Sequence, residues 1–250
     1  MKRKALLIAN PGSEGDENYC RGVYADLSNF REYLTSPRGG VWYENEIETL
    51  DKPMSSVVKE KVASLGSFDY SFIAFFGHGY YSAAKMDTVL ELNPFGGEIT
   101  SNQLKINAKK RTIVLDCCRV VIKDAILSMN NESCRSALKK AVDLDLAAFR
   151  KKFDDEVTRV GDDLIVTYGC STNEKAGDSP TQGGRYTSSL LHSVANWSPD
   201  LGVTSSDVMS VVAAHNAAAP LVQNRSGGLQ NPDIEKSRTL PYFPFAVAVR

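Results

Sequence analysis

The chain has 250 residues, 42% of them hydrophobic and 24% charged, with a formal net charge of −1. That length can bury a full core, and the composition is that of a soluble globular protein. The near-zero charge supplies no global field toward nucleic acid or an anionic membrane, and no stretch approaches the ~18 apolar residues of a transmembrane helix.

Five cysteines, an odd number with no C-x-x-C pair, argue against a disulfide framework or a structural zinc site. Thiols of this kind suit a reducing compartment, so a cytoplasmic protein is expected. The start "MKRKALLIANPG" is basic and then apolar. Its apolar run, Ala5 to Ala9, is too short for a signal-peptide core, and a turn follows at once.

In chain order, "ALLIA" (5–9) reads as a first buried strand, and Tyr24 to Leu34 as a helix with Leu27, Phe30 and Leu34 on one face. A weaker strand runs through Ile47 to Leu50, and Met54 to Leu65 forms a helix with Val58, Val62 and Leu65 in line. Strands follow at "YSFIAFF" (70–76) and "TIVLD" (112–116). Arg135 to Val157 spaces Leu138, Val142, Phe149, Phe153 and Val157 at helical steps. A strand "LIVTYG" (164–169) precedes helices at Thr187 to Trp197 and Ser205 to Asn216, the latter with Ser205 and Ser206 as cap candidates; "FAVAV" (245–249) is a final strand.

The strand segments are β-branched or aromatic and lack polar alternation, which fits a sheet covered on both faces. Alternating strands and helices predict an α/β three-layer sandwich: a mostly parallel six-stranded sheet with helices on both sides. No repeat, low-complexity linker or composition shift divides residues 1–250, so a single domain is expected, with residues 119–163 a linker and helical insert within it.

In such sheets the ligand site lies beyond the carboxyl ends of the strands. Two segments fall there. "GHG" (77–79) follows one strong strand and "CCR" (117–119) follows the next. A thiol with a pKa near ~8.5 is mostly protonated at neutral pH, and an imidazole beside it can take that proton and later give it to a leaving amine. His192 and His215 lie on helices as surface or packing residues, whereas His78 stands between two glycines at a strand end. The N–H of Gly79 and that of the attacking cysteine are natural oxyanion donors. Spacing alone leaves inert packing of Cys117 and Cys118 open beside catalysis.

These residues resemble the caspase-fold cysteine peptidases, the clan of caspases and metacaspases. "FIAFFGHG" is similar to the family strand ending in S-G-H-G, and "TIVLDCCR" to the D-C-C-H-S-G of metacaspases and the Q-A-C-R-G of caspases. "CRGVYAD" (20–26), "YGCSTNEKAGD" (168–178), "GGRYTSSLL" (183–191) and "LQNPDI" (229–234) resemble further family segments in the family order. The resemblance implies a caspase-like fold, Cys118 as nucleophile, His78 as base, and Gly79 with Cys118 as oxyanion donors. It is closest to metacaspase-like or prokaryotic homologues. Metacaspases cut after Arg or Lys through acidic S1 residues, whose positions map onto Asp26 and Asp116, with Asp178 a further candidate. Caspases, which take Asp, carry Gln where this chain has Asp116.

The match departs from the family at Phe76, where metacaspases have Ser, at Ala25, where they have Asn, at Arg119, which follows the caspase pattern, and at Val120–Val121, where Ser-Gly is usual. The resemblance implies a protein or peptide substrate and no cofactor. Calcium, common in metacaspases, needs several convergent oxygens, which the pairs Asp154–Asp155 and Asp162–Asp163 do not supply, so no metal is expected. No nucleic acid or membrane partner is expected. Arg135, Arg150, Lys151 and Lys152 are candidate processing sites, although a solvated helix face is the plainer reading. With no nucleotide-binding loop in the sequence, control would come from an activating protein, a small signalling ligand or the insert. Stand-alone relatives suggest programmed cell death or phage defence. The alternative is a catalytically silent caspase-fold scaffold.

Overall fold

A computed structural model describes residues 1–122, 145–199 and 207–249. The chain begins with β1 (Arg3–Asn10), α1 (Val23–Thr35), β2 (Ile47–Asp51), α2 (Ser55–Ser64) and β3 (Tyr70–Gly77). Three short strands follow, β4 (Gly79–Ser82), β5 (Asp87–Glu91) and β6 (Glu98–Thr100), then α3 (Ser101–Leu104), β7 (Lys110–Asp116) and β8 (Val121–Ile122). The second half holds α4 (Leu146–Arg159), β9 (Asp163–Tyr168), β10 (Asp178–Ser179), β11 (Gly183–Gly184), α5 (Arg185–Ala195), β12 (Val208–Ser210), α6 (Val211–Arg225), β13 (Asp233–Glu235) and β14 (Pro244–Val247).

The central sheet has six strands in the order β13-β9-β7-β3-β1-β2, all pairs parallel except β13 with β9. Both faces are covered, which is why the strands read as unbroken apolar runs. Ala5, Leu7, Ala9, Phe72, Ala74 and Phe76 face a layer built from α1, α4, α5, α6 and β14. Leu6, Ile8, Ile73, Phe75 and Leu115 face α2, α3 and residues of β5 and β6. The three-layer sandwich is therefore as expected, with one addition: β6-β5-β4-β8 form a small second sheet on one side.

Three expectations need correction. "FAVAV" is not in the central sheet: β14 pairs antiparallel with β12 and lies in the helical layer, where Phe245 stacks on Tyr33 with centroids 5.0 Å apart. Hydropathy cannot separate the two placements, because all four residues of β14 are buried there as well. The sixth strand is the short edge strand β13 instead, whose Asp and Glu hide it from a hydropathy reading. The last long helix starts at Val211, with Ser210 Oγ accepting from Ala213 N at 3.1 Å; Ser205 and Ser206 lie outside the described residues. The insert helix begins at Leu146, where Asp145 Oδ1 caps it by accepting from Ala148 N at 3.1 Å, so it does not run unbroken from Arg135; Arg135, Leu138 and Val142 lie outside the described residues.

The charges on that helix have partners. Buried Arg3 sits over Trp42 at 4.5 Å and pairs with Asp154 at 3.1 Å, fastening α4 to the sheet. Arg150 makes two bonds to the Glu46 carboxylate, at 2.6 and 2.9 Å. Among the described residues no helix is long and apolar enough to cross a membrane.

Candidate active site

The register of β3 with β7 pairs Phe76 with Asp116. Two residues further along each strand stand His78 and Cys118, so adjacent parallel strands, about 4.8 Å apart, deliver both to one edge of the sheet. Gly77 makes the turn possible. Its φ is +148°, and a Cβ there would lie 2.3 Å from Asn10 O.

The loop after β1 holds the imidazole. His78 Nε2 is 3.2 Å from Pro11 O. A carbonyl can only accept, so this contact places the proton on Nε2 and leaves Nδ1 as the basic nitrogen. Asn10 braces the loop: its Nδ2 donates to Glu91 O at 2.7 Å, and its Oδ1 accepts from Gly12 N at 3.1 Å. Pro11 was not legible in the sequence as a site residue, since every residue carries a carbonyl.

Cys20 is a second unforeseen neighbour. Its Sγ lies 3.8 Å from His78 Nδ1 and 3.6 Å from Nε2. A sulfur nearly equidistant from both ring nitrogens lies along neither lone pair, so it packs on the imidazole rather than bonding to one nitrogen. Cys118 Sγ instead accepts from Ala176 N at 3.3 Å and approaches Ala176 O at 3.7 Å. No hydrogen bond joins its thiol to His78. Burial pushes the Cys118 thiol up, against the opposing Ala176 N–H, with Asp116 adding to the rise, so the resting sulfur is a thiol. Cys117 is 1% exposed and belongs to the core beneath the small sheet.

Tyr81 N–H donates to Val120 O at 2.9 Å. Alternate residues of a strand send their N–H groups to the same edge, so Gly79 N–H also points toward the segment after β7. Val120 and Val121, which fit neither family pattern, thus have a place: they pair the segment after Cys118 with β4.

The three candidate carboxylates converge on the turn before α5. Asp116 Oδ2 accepts from both Thr187 N and Thr187 Oγ1 at 2.8 Å, and Asp26 Oδ2 accepts from Gly184 N at 2.7 Å. Gly183, at φ +83°, has no room for a side chain, since a Cβ would lie 1.8 Å from Asp26 Oδ1. Asp178 Oδ2 accepts from Gly22 N, at the start of α1, at 2.9 Å. Asp26 is 2% and Asp116 5% exposed. Burial, with Asp116 nearby, lifts the Asp26 carboxyl well above its usual range; burial lifts Asp116 to about 6 despite Thr187, and lifts Asp178 as well. Asp26 Oδ1 and Asp178 Oδ1 are buried and have no hydrogen-bond partner. Arg185 lies near enough to lower Asp116, but its Nη1 donates to Gln230 Oε1 at 2.8 Å.

Gln230 accounts for the "LQNPDI" segment. It is fully buried, donates to Gly169 O at 2.7 Å and accepts from Gly177 N at 2.9 Å, tying the two loops beside the site. Phe76 and Arg119 are structural. Phe76 packs against Phe30 at 5.5 Å between ring centroids, and Arg119 lies 4.0 Å over Tyr168 and donates to Thr88 Oγ1 and Cys170 O. His215 is buried against Tyr186 OH at 2.8 Å.

A family model described as the caspase domain matches residues 2–243. The chain belongs to the caspase-domain peptidase family. A comparison with curated proteins finds no match. Membership supports cysteine peptidase activity and a protein substrate. The caspase-domain match runs from β1 to the residue before β14, so it takes in every strand that carries the site.

Proposed function

We propose that the chain is a cysteine endopeptidase in which Cys118 is the nucleophile and His78 the base, with cleavage after Arg or Lys. The observation that carries the reading is the held imidazole: Pro11 O accepts a hydrogen bond from Nε2–H, so Nδ1 is left to act at the strand edge where Cys118 stands. His78 Nδ1 takes the proton from Cys118 Sγ as the sulfur leaves Ala176 and attacks the scissile carbonyl carbon. The oxygen becomes an oxyanion, received by Gly79 N–H and Cys118 N–H; each such donor contributes about 10²–10³-fold. The C–N bond then breaks, with the proton on His78 passing to the leaving amine and a thioester remaining on Cys118. Water, giving a proton to His78, hydrolyses the thioester, and the proton returns to the thiol.

The basic P1 preference is supported by the two buried carboxylate oxygens without partners, one on Asp26 and one on Asp178, beside Asp116. A guanidinium or ammonium group satisfies both, and an acidic P1 adds a like charge. A role as a regulated effector of cell death or phage defence rests on the family resemblance, and cytoplasmic location on cysteine usage.

The test is cleavage of fluorogenic peptides ending in Arg, Lys or Asp by wild type and Cys118→Ala. Wild type cleaves the basic peptides and the variant does not. Activity surviving the substitution removes Cys118 from the mechanism; cleavage after Asp alone removes the S1 assignment. One observation favours a second reading, a silent scaffold: the Cys118 thiol bonds to Ala176 and not to His78. Failure of an arginyl chloromethyl ketone to alkylate Cys118 would support that reading.

A further inference from the structure

Glu91 is the residue at this edge that the mechanism above does not use. It ends β5, and β5 runs antiparallel to β4 with Gly79 opposite Leu90. One step further, Glu91 N donates to His78 O at 3.0 Å, so the two residues stand directly opposite each other. Side chains of directly opposed residues leave the same face of an antiparallel pair. His78 and Glu91 accordingly share the wall of one cavity of about 310 Å³.

The backbone of Glu91 is held from both sides, by His78 O at its nitrogen and by Asn10 Nδ2 at its oxygen. Its carboxylate is half-buried, and among the described residues no hydrogen bond or salt bridge engages it. The neighbouring Glu98, by contrast, is taken by Lys85 at 3.3 Å and Tyr80 OH at 2.9 Å. Burial raises the Glu91 carboxyl and His78 pulls it back, while Glu91 in turn raises the Cys118 thiol. One carboxylate is therefore within electrostatic reach of both reacting groups.

We propose that Glu91 is a positioning residue that acts through His78, its unpaired carboxylate serving as the counter-charge of the imidazolium formed when Cys118 gives up its proton. The inference rests on the reading of His78 as the base. Pro11 O directs the ring but carries no net charge, so the carbonyl alone leaves the developing cation uncompensated. The other groups around His78 are Cys20 from the segment before α1, Asp178 from β10, and Asp16 and Glu98 on the shared cavity wall, Glu98 being already engaged by Lys85 and Tyr80. All of them stay in place in a Glu91 variant.

The experiment follows the His78 imidazole directly, by nitrogen-15 NMR titration of wild type, Glu91→Gln, Glu91→Asp and Glu98→Gln, beside pH profiles of kcat/KM. Glu91→Gln should lower the His78 midpoint, carry the acidic limb of kcat/KM down with it, and reduce the plateau about tenfold. Glu91→Asp keeps the charge and should retain most of the midpoint, and Glu98→Gln should leave it unchanged. An unmoved midpoint in Glu91→Gln, equal loss in Glu91→Asp, or an equal shift in Glu98→Gln overturns the assignment. Glu91→Met, uncharged and of similar length, gives the same readout if the glutamine variant does not fold. The NMR titration needs no turnover, so a silent enzyme would defeat the peptidase reading while the coupling of Glu91 to His78 is still measured.

Discussion

Replacing Asp26 with Asn separates a substrate-reading carboxylate from a structural one, because the two roles predict opposite effects on stability. Asn is nearly isosteric, and its Oδ1 can keep the 2.7 Å bond from Gly184 N. What it removes is a buried negative charge whose second oxygen has no partner and which shares its surroundings with Asp116 and Asp178. The Asp26 carboxyl is raised on folding, so the native state holds its proton to higher pH than the unfolded chain. Its ionisation therefore weakens the fold as pH rises from its unfolded value near ~4 toward the folded one. At pH 7 Asp26→Asn should thus melt at the wild-type temperature or above it. Toward substrate the sign reverses. Truncating one partner of a buried, hydrogen-bonded charge pair costs about 2–5 kcal/mol, so kcat/KM for an arginyl peptide should fall roughly 30- to 5,000-fold. Differential scanning fluorimetry and fluorogenic cleavage, run on the same preparations, provide the assay. Arginyl cleavage held within threefold, or a melting temperature lowered by about 4 °C or more together with activity, would refute the reasoning.

The same linkage can be followed at Asp116, whose carboxyl sits at about 6 in the folded chain. Relative to Asp116→Asn, wild type should lose about 3 kcal/mol of stability as pH rises from ~3 to ~7, measured by urea unfolding across that range. Gly77→Ala should destabilise by ~2 kcal/mol or more and lower activity, because the added Cβ meets Asn10 O in a backbone region that L-residues rarely adopt; chemical denaturation checks it. Cys117→Ala should retain cleavage within a few-fold and cost about 1 kcal/mol for the small cavity it leaves, in contrast to Cys118→Ala, which should retain no activity.

The sheet was legible because its strands are buried on both faces, and an unbroken run such as "YSFIAFF" has few other homes. β14 was misplaced and β13 missed for the complementary reason. Burial is what hydropathy reports, and a buried apolar strand in the helical layer scores higher than an exposed, acidic edge strand of the central sheet. In the site, His78, Cys118 and the acidic residues were legible as side chains whose chemistry is specific to their type. Pro11 was not, since it acts through a carbonyl common to all residues, and neither Cys20 nor Glu91 lies within ten residues of the segment it serves.

By itself, the sequence determined which chemistries were available: a thiol and an imidazole at two strand ends, carboxylates at Asp26, Asp116 and Asp178, and a composition able to bury a mostly parallel sheet. Tertiary structure alone decided how those groups are directed. The Asn10–Pro11 turn orients the imidazole and Ala176 holds the thiol. Buried carboxylate oxygens without partners are left at two glycine positions, Asp26 Oδ1 against Gly183 and Asp178 Oδ1 against Gly22. Direction depends on contacts between segments up to about 160 residues apart, such as Asp26 with Gly184, and a linear pattern carries no measure of such distances.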